Sequence, residues 1–485
     1  MKRGLRLLFK DSLIYGLAGA ANRLVKILLV PVVAKAFPAE VFGAFDTVSI
    51  YIYVLAVAGI LGVNSAVIIL ATRGGAQASA GAMRVPASTG LRITVIVSLA
   101  LTGAVLVAPA AWSGVLLGDS RYATPILWAA ASVPFSALLL YALSLLQWSF
   151  RRAWYVTIAL GSALVTIALS YVVAFHTGYG LTGLFAANLI GQAGGAVVAL
   201  YAARDMLGGG WDRTLARQML AVGLPFAIIA IASNLVPSVD RLFLVQAHSL
   251  ADAGIYGMGQ KIAALSTLVL TGFQAAWGPF AFAQRDAPGK PELFGRVFLL
   301  TCTAAAYLTV VLVCSAPEIS RLVATAAYSR AAIFVGPLAL SAGLGAVFLV
   351  VAIGSVLEGR SLNNLAAYLF GLGVTVAINF VLLRSDTPPL GIAWANCAGQ
   401  AAAVVLMAVL SQRVHPVPYP FLRGAAVLLG GGVLAIVVAR GLADASRLEL
   451  ATVIAVSSIG FAAWTWLAVL DRGLRARVLA RLGAG

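Results

Sequence analysis

Residues 331–357 read AAIFVGPLALSAGLGAVFLVVAIGSVL, 27 consecutive residues without a charge. About 20 apolar residues suffice to cross a ~30 Å hydrocarbon core as a helix. A barrel strand would instead show ~10-residue segments of alternating polarity. The same signal recurs outward in both directions, at roughly 12–36, 41–71, 91–111, 122–147, 154–175, 180–203, 215–247, 254–284, 294–316, 331–357, 362–383, 390–411, 424–440 and 450–470. The expected fold is an all-α integral membrane bundle of about 14 transmembrane helices. Composition agrees: 61% of the 485 residues are hydrophobic and 10% charged, against roughly 25% charged in soluble domains. The basic stretch 1–10 is followed by no small-residue cleavage site, so the first apolar run is expected to be a retained helix.

The formal charge of +17 suggests nucleic acid until its distribution is examined. With both termini placed inside, the inner loops hold 22 Lys and Arg and the outer loops seven, while acidic residues divide evenly. Lys and Arg alone bias orientation. The basic excess is therefore a topology signal that places both termini in the cytoplasm and favours anionic membrane lipid as a neighbour; a nucleic-acid partner is excluded. The loops are short, so no extramembrane domain is expected.

Transporters often carry internal repeats. Ala187-Asn188-Leu189-Ile190-Gly191-Gln192-Ala193 recurs as Ala395-Asn396-Cys397-Ala398-Gly399-Gln400-Ala401, 208 residues later, and Gly183 matches Gly391. Glu40-x-x-Gly43-x-Phe45 echoes Asp252-x-Gly254-x-Tyr256. Each repeat spans six helices, and an even number preserves orientation. The expected plan is two parallel six-helix lobes, 1–211 and 212–413, enclosing a central cavity, with two further helices and a basic tail at 414–485.

Six ionisable residues fall within spans: Arg23, Lys26, Asp46, Asp240, Arg241 and Lys261. Such residues persist by facing protein or a wet cavity, and mark substrate or ion paths by default. Helical spacing adds Asn22 beside Arg23 and Lys26, Asn234 and Ser238 beside Arg241, and Gln260 and Gln274 near Lys261. The cations Arg23, Lys26, Arg241 and Lys261 are candidate ligands for an anionic substrate, because guanidinium and ammonium groups suit phosphate. Asp46, Asp240, Asn22, Asn234, Gln260 and Gln274 are candidate polar cavity residues, the two carboxylates also suiting H⁺ or Na⁺ coupling. The competing reading is helix–helix ion pairing, with Asp46 and Asp240 neutralising two cations and fixing the packing.

Other chemistry is sparse. Cys302, Cys314 and Cys397 fall in apolar spans with no C-x-x-C spacing, as small core residues do. His176, His248 and His415 lie in separate loops. No metal or organic cofactor is expected. Outer-loop carboxylates are scattered singly, which disfavours a membrane polymerase or ligase, and there is no G-x-x-x-x-G-K-[ST] nucleotide loop.

Several segments resemble the polysaccharide-flippase branch of the multidrug/oligosaccharidyl-lipid/polysaccharide exporter superfamily. They are Lys10-Asp11-Ser12-Leu13-Ile14-Tyr15-Gly16, Asn22-Arg23-Leu24, Pro38-Ala39-Glu40-Val41-Phe42-Gly43, Asp240-Arg241-Leu242-Phe243, Ala253-Gly254-Ile255-Tyr256, Lys261-Ile262-Ala263 and Gln274-Ala275-Ala276-Trp277-Gly278-Pro279-Phe280. The resemblance implies two six-helix lobes opening alternately to each side. It implies transport of undecaprenyl-diphosphate-linked oligosaccharide across the bacterial inner membrane for O-antigen, lipopolysaccharide or exopolysaccharide synthesis, alongside other polysaccharide-assembly proteins. Drug exporters and peptidoglycan-precursor flippases resemble the chain in the same way, the latter through the final two helices.

Overall fold

The computed structural model describes residues 27–71, 80–235, 238–283, 290–360, 362–384, 387–441 and 447–466, and among them there is no strand. The helices are α1 (Leu29–Ala36), α2 (Ala39–Ile60), α3 (Val63–Ala71), α4 (Ala80–Val107), α5 (Pro109–Leu117), α6 (Ala123–Trp148), α7 (Arg152–His176), α8 (Gly180–Ala202) and α9 (Arg213–Leu235). They continue with α10 (Asp240–Ala247), α11 (Leu250–Ala263), α12 (Leu265–Ala283), α13 (Lys290–Val323), α14 (Ala332–Leu357), α15 (Leu362–Leu382), α16 (Leu390–Val414), α17 (Phe421–Gly441) and α18 (Arg447–Trp464). Among the described residues, 11 helical stretches are long and apolar enough to cross a membrane. Of the other three expected spans, the first lies mostly outside the described residues and the eighth is divided at Ala264 into α11 and α12. The last appears as the shorter apolar stretch Glu449–Trp464. The chain is an all-α, multi-pass membrane protein.

Three local features depart from uninterrupted rods. The second expected span breaks between α2 and α3, where Leu61 and Gly62 both adopt left-handed φ values of 49° and 67°. A neighbouring helix explains the break: a Cβ built on Gly62 would lie 2.2 Å from the carbonyl oxygen of Gly223 on α9. In the seventh expected span α9 is described to Leu235 and α10 from Asp240, with Ser238 and Val239 in a tight turn before α10; Pro237 lies outside the described residues. α4 begins at Ala80, earlier than the expected 91, with Pro86 inside it.

The described helices form two compact units, Met1–Ile255 and Tyr256–Gly485. This division falls later than the repeat boundary expected at 211, because α9 packs on α2, α3 and α4 and α10 packs on α5. In the second unit, α17 and α18 pack on α13, so the helices beyond 413 belong to that unit's body.

The internal repeat is legible in the packing of each unit taken separately. α6 packs on α8 and α7 on α8 in the first; α14 packs on α16 and α15 on α16 in the second. Thr166 donates to the Ser162 carbonyl at 2.9 Å, and Thr375 to the Gly371 carbonyl at 3.1 Å. A Cβ on Gly191 would sit 2.0 Å from Thr166 Oγ1, and one on Gly399 would sit 1.8 Å from Thr375 Oγ1. The repeated glycines are thus the points where one helix lies against a threonine of its neighbour, an approach that small residues permit in membranes.

The α6–α7 and α14–α15 turns also correspond. Arg151 N–H donates to the Leu146 carbonyl and Arg360 N–H to the Ser355 carbonyl, each five residues back. This is the helix-ending motif whose penultimate residue is left-handed and usually glycine. The second unit supplies Gly359 at φ 68°; the first supplies Phe150 at φ 56°. A side chain there costs roughly 1–2 kcal/mol.

Segments assigned to one side by charge meet one another. Arg151 pairs with Asp205 through both carboxylate oxygens. Arg84 Nε donates to the Asp205 carbonyl at 3.1 Å, and the Gly208 and Gly209 N–H groups donate to Ser88 Oγ. On the opposite side Tyr122 donates to Glu40 at 2.7 Å and Gln246 to the Val115 carbonyl at 3.2 Å.

Candidate functional site

Asp46 lies in the first half of α2, and Asp240 and Arg241 open α10 directly after the turn at Ser238 and Val239. An acidic residue in a first turn complements the positive end of the helix dipole. Leu242 N–H donates to the Val239 carbonyl in a tightened turn, and the Ser238 carbonyl accepts from the Tyr51 hydroxyl at 3.2 Å. Ser238 Oγ in turn donates to the Asn234 carbonyl at 2.9 Å, and Asn234 Nδ2 to the Ala230 carbonyl at 2.7 Å. Hydroxyl and amide groups thus bond the backbone carbonyls of Ala230, Asn234 and Ser238.

Arg241 Nη2 lies 2.9 Å from Asp46 Oδ2, with side-chain exposures of 0% and 6%. Asp240 is buried as well. This pair realises the ion-pairing arrangement for Arg241 and Asp46: the guanidinium is held by a carboxylate and shielded from solvent. Removing either partner takes away half of a buried ion pair, a change that costs several kcal/mol.

One helical turn before Asp46, α2 crosses α11 at its tightest point. A Cβ on Gly43 would lie 2.1 Å from the Leu250 carbonyl oxygen, and a Cβ on Gly254 would lie 2.1 Å from the Ala39 carbonyl oxygen. The contact is reciprocal: each glycine faces the backbone of the other's helix four residues before the other glycine. The pair echoed in the sequence is therefore a pair in contact.

The other candidates are placed as follows. Asn22, Arg23 and Lys26 lie outside the described residues, as does the side chain of Gln274. Gln260 and Lys261 are partly buried on α11, in the second unit. Among the described residues no group of three or more His, Cys, Asp or Glu is placed to hold a metal.

Two features escaped the sequence reading. Tyr51 on α2 reaches the Ser238 carbonyl just before α10. In the second unit, α17 and α18 enclose a groove of about 680 Å³ lined by Ala426, Gly430, Leu434, Val453, Val456 and Phe461, among others. Its lining is almost wholly apolar. Sequence shows only that both helices are apolar; the glycines Gly430 and Gly460, which meet no neighbour within 4 Å, are the retrospective signal.

No family model matches the chain, and no curated protein sequence matches it. Solved structures do. The inward closed conformation of the lipid II flippase MurJ superposes with a TM-score of 0.72 at 14% identity, covering 94% of this chain and 99% of that one. An inward-facing multidrug resistance MATE family transporter of the MOP superfamily gives 0.69 at 15% identity, covering 84% and 95%. A MOP superfamily transporter from Pyrococcus furiosus Vc1 (DSM3638), described by the reversed polarity of its binding pocket, gives 0.59 at 17% identity, covering 87% and 96%. Residues, packing and superposition together give this chain the fold of these membrane transporters.

Proposed function

We propose that the chain is a flippase that carries an undecaprenyl-diphosphate-linked oligosaccharide across the bacterial inner membrane by alternating access, serving synthesis of O-antigen or exopolysaccharide. The observation that carries this reading is the apolar α17–α18 groove, built on helices added to a transporter fold. A drug-sized cation gains little from an almost wholly apolar groove, whereas a polyprenyl tail needs an apolar seat while its head group is moved. The wider coverage of this chain by the lipid II flippase, 94% against 84% for the MATE transporter, favours the same branch. Arg23, Lys26, Arg241 and Lys261 are assigned to the diphosphate, Arg241 becoming available when its pair with Asp46 opens. Asp46 and Asp240 are assigned to coupling by H⁺ or Na⁺. The reading needs no bond chemistry, so the protein acts as a transporter and not an enzyme.

The test is transport of a labelled polyprenyl-diphosphate oligosaccharide by the full chain in vesicles. Gly430→Leu and Gly460→Leu each place a side chain in open groove space. Each is expected to reduce transport about tenfold, by analogy with losing two buried methylenes' worth of tail contact, without loss of protein level. Undiminished transport in both variants removes the groove from the mechanism. The peptidoglycan precursor is the second reading, favoured by the superposition on MurJ. The lipid-linked sugar that accumulates in the cytoplasmic leaflet when the protein is absent decides between the two.

A further inference from the structure

The α6–α7 turn carries Trp148-Ser149-Phe150-Arg151-Arg152-Ala153-Trp154. Phe150 occupies the left-handed position that its counterpart in the second unit fills with Gly359. Its ring does not gain burial in return: Phe150 is 60% exposed, and Trp148 and Trp154 beside it are 47% and 45% exposed. An apolar side chain held in an unfavourable backbone conformation and left outside the protein core is explained by something apolar outside the protein. Charge accompanies it. Arg151 fastens this turn to the α8 end by bonds to Asp205 and to the Ala202 carbonyl, and Arg204 lies 4.0 Å over the ring of exposed Tyr201. Arg151, Arg152 and Arg204 thus stand on one rim with Trp148, Phe150, Trp154 and Tyr201.

The matching turn of the second unit does not repeat these aromatic residues. The positions matching Trp148, Phe150, Arg152 and Trp154 are Leu357, Gly359, Ser361 and Asn363, and the second turn adds Glu358, which pairs with His415 at 3.1 Å. Arg360 matches Arg151, so both turns carry one arginine; the first adds Arg152 and three aromatic rings, where the second has Glu358 and no aromatic residue.

We infer that the α6–α7 rim of the first unit is a binding seat for an anionic bilayer phospholipid, its phosphate against Arg152 and its glycerol–acyl region against Trp148, Phe150 and Trp154. The seat is independent of the transport substrate, and its occupant is a resident lipid.

Tryptophan emission of the full chain in vesicles tests this with brominated phosphatidylglycerol or brominated phosphatidylcholine at equal mole fraction, against a Trp148→Phe/Trp154→Phe double variant as blank. The anionic lipid is expected to quench Trp148 and Trp154 more strongly. Arg152→Gln is expected to weaken that preference about fivefold, the effect of one arginine near an anionic surface. Phe150→Gly is expected to abolish the preference while raising the melting temperature in detergent, because it relieves the left-handed φ. Equal quenching by the two lipids overturns the proposal. So does a preference that survives both substitutions, or a lower melting temperature in Phe150→Gly, which would make the ring a packing element. If brominated polyprenyl diphosphate displaces phosphatidylglycerol at equal mole fraction, the seat belongs to the carrier lipid instead and the proposal falls.

Discussion

At the scale of single residues, the pair of Arg241 with Asp46 sets the strongest expectation. Asp46→Asn removes one buried carboxylate from beside the guanidinium and should destabilise the protein by about 3–5 kcal/mol, read as a lower melting temperature in detergent. The combined Asp46→Ala/Arg241→Ala variant should be less damaged than the two single effects added, because the two charges are removed together; an additive double-mutant cycle would show that the groups do not interact. A second expectation concerns pH. Hydrogen bonds from Arg151 hold the Asp205 carboxyl below its ordinary range, with burial acting in the opposite direction. A carboxylate whose folded pKa is depressed contributes stability above its unfolded value near 4, and that stability is lost as pH falls through the folded value. The pair is partly exposed, so about 1 kcal/mol or less is at stake. Acidification from pH 5 to 3 should loosen segment 204–210 to proteolysis, and Asp205→Asn should show that susceptibility already at pH 5. The sequence announced which residues carried embedded charge, since six such residues in apolar spans are conspicuous. It did not say which met, because Asp46 and Arg241 are 195 positions apart and helical spacing orders residues only within a helix.

At the scale of elements, the matched crossings separate glycines that touch from glycines that do not. Gly399 lies against Thr375 and against the Gly371 carbonyl, whereas Gly430 meets nothing within 4 Å. Gly399→Ala should cost about 1–3 kcal/mol through overpacking, while Gly430→Ala should be neutral or stabilising by up to about 1 kcal/mol through helix propensity. Thermal unfolding of the two variants side by side measures this difference. The repeat at 187–193 and 395–401 was readable as letters because Asn, Gly and Gln stand out in an apolar background. The break at Leu61–Gly62 was not readable: its cause is α9 pressing on Gly62 from far along the chain, and nothing local to 41–71 marks it. The early start of α4 escaped for a related reason, since residues 80–90 carry arginine and proline and are helical through packing rather than through apolar periodicity.

At the scale of the whole chain, the inside–outside alternation of basic residues makes a labelling prediction. Gly178 follows α7 and Gly208 follows α8, on opposite sides by loop charge. Cys302, Cys314 and Cys397 are buried and should stay silent toward a membrane-impermeant maleimide. With cysteine introduced at Gly178 or at Gly208, right-side-out cells should label the first and spare the second. Labelling of both from one side would overturn the alternation. The crossing segments were legible because lipid demands continuous apolar helix of each of them. The α17–α18 groove was beyond reach, since it exists only in the gap that two apolar helices leave when each is held by the rest of its unit.

The crossing of Gly43 with Gly254 has a further consequence. Each of these residues is both a lock and the keyhole for its counterpart, so a mutation at one is felt at the same spot as a mutation at the other. Two such positions cannot drift apart in evolution by turns; enlarging either closes the space that the other uses. In descendants of this chain the two should remain small together, or change only where the backbones of both helices have moved.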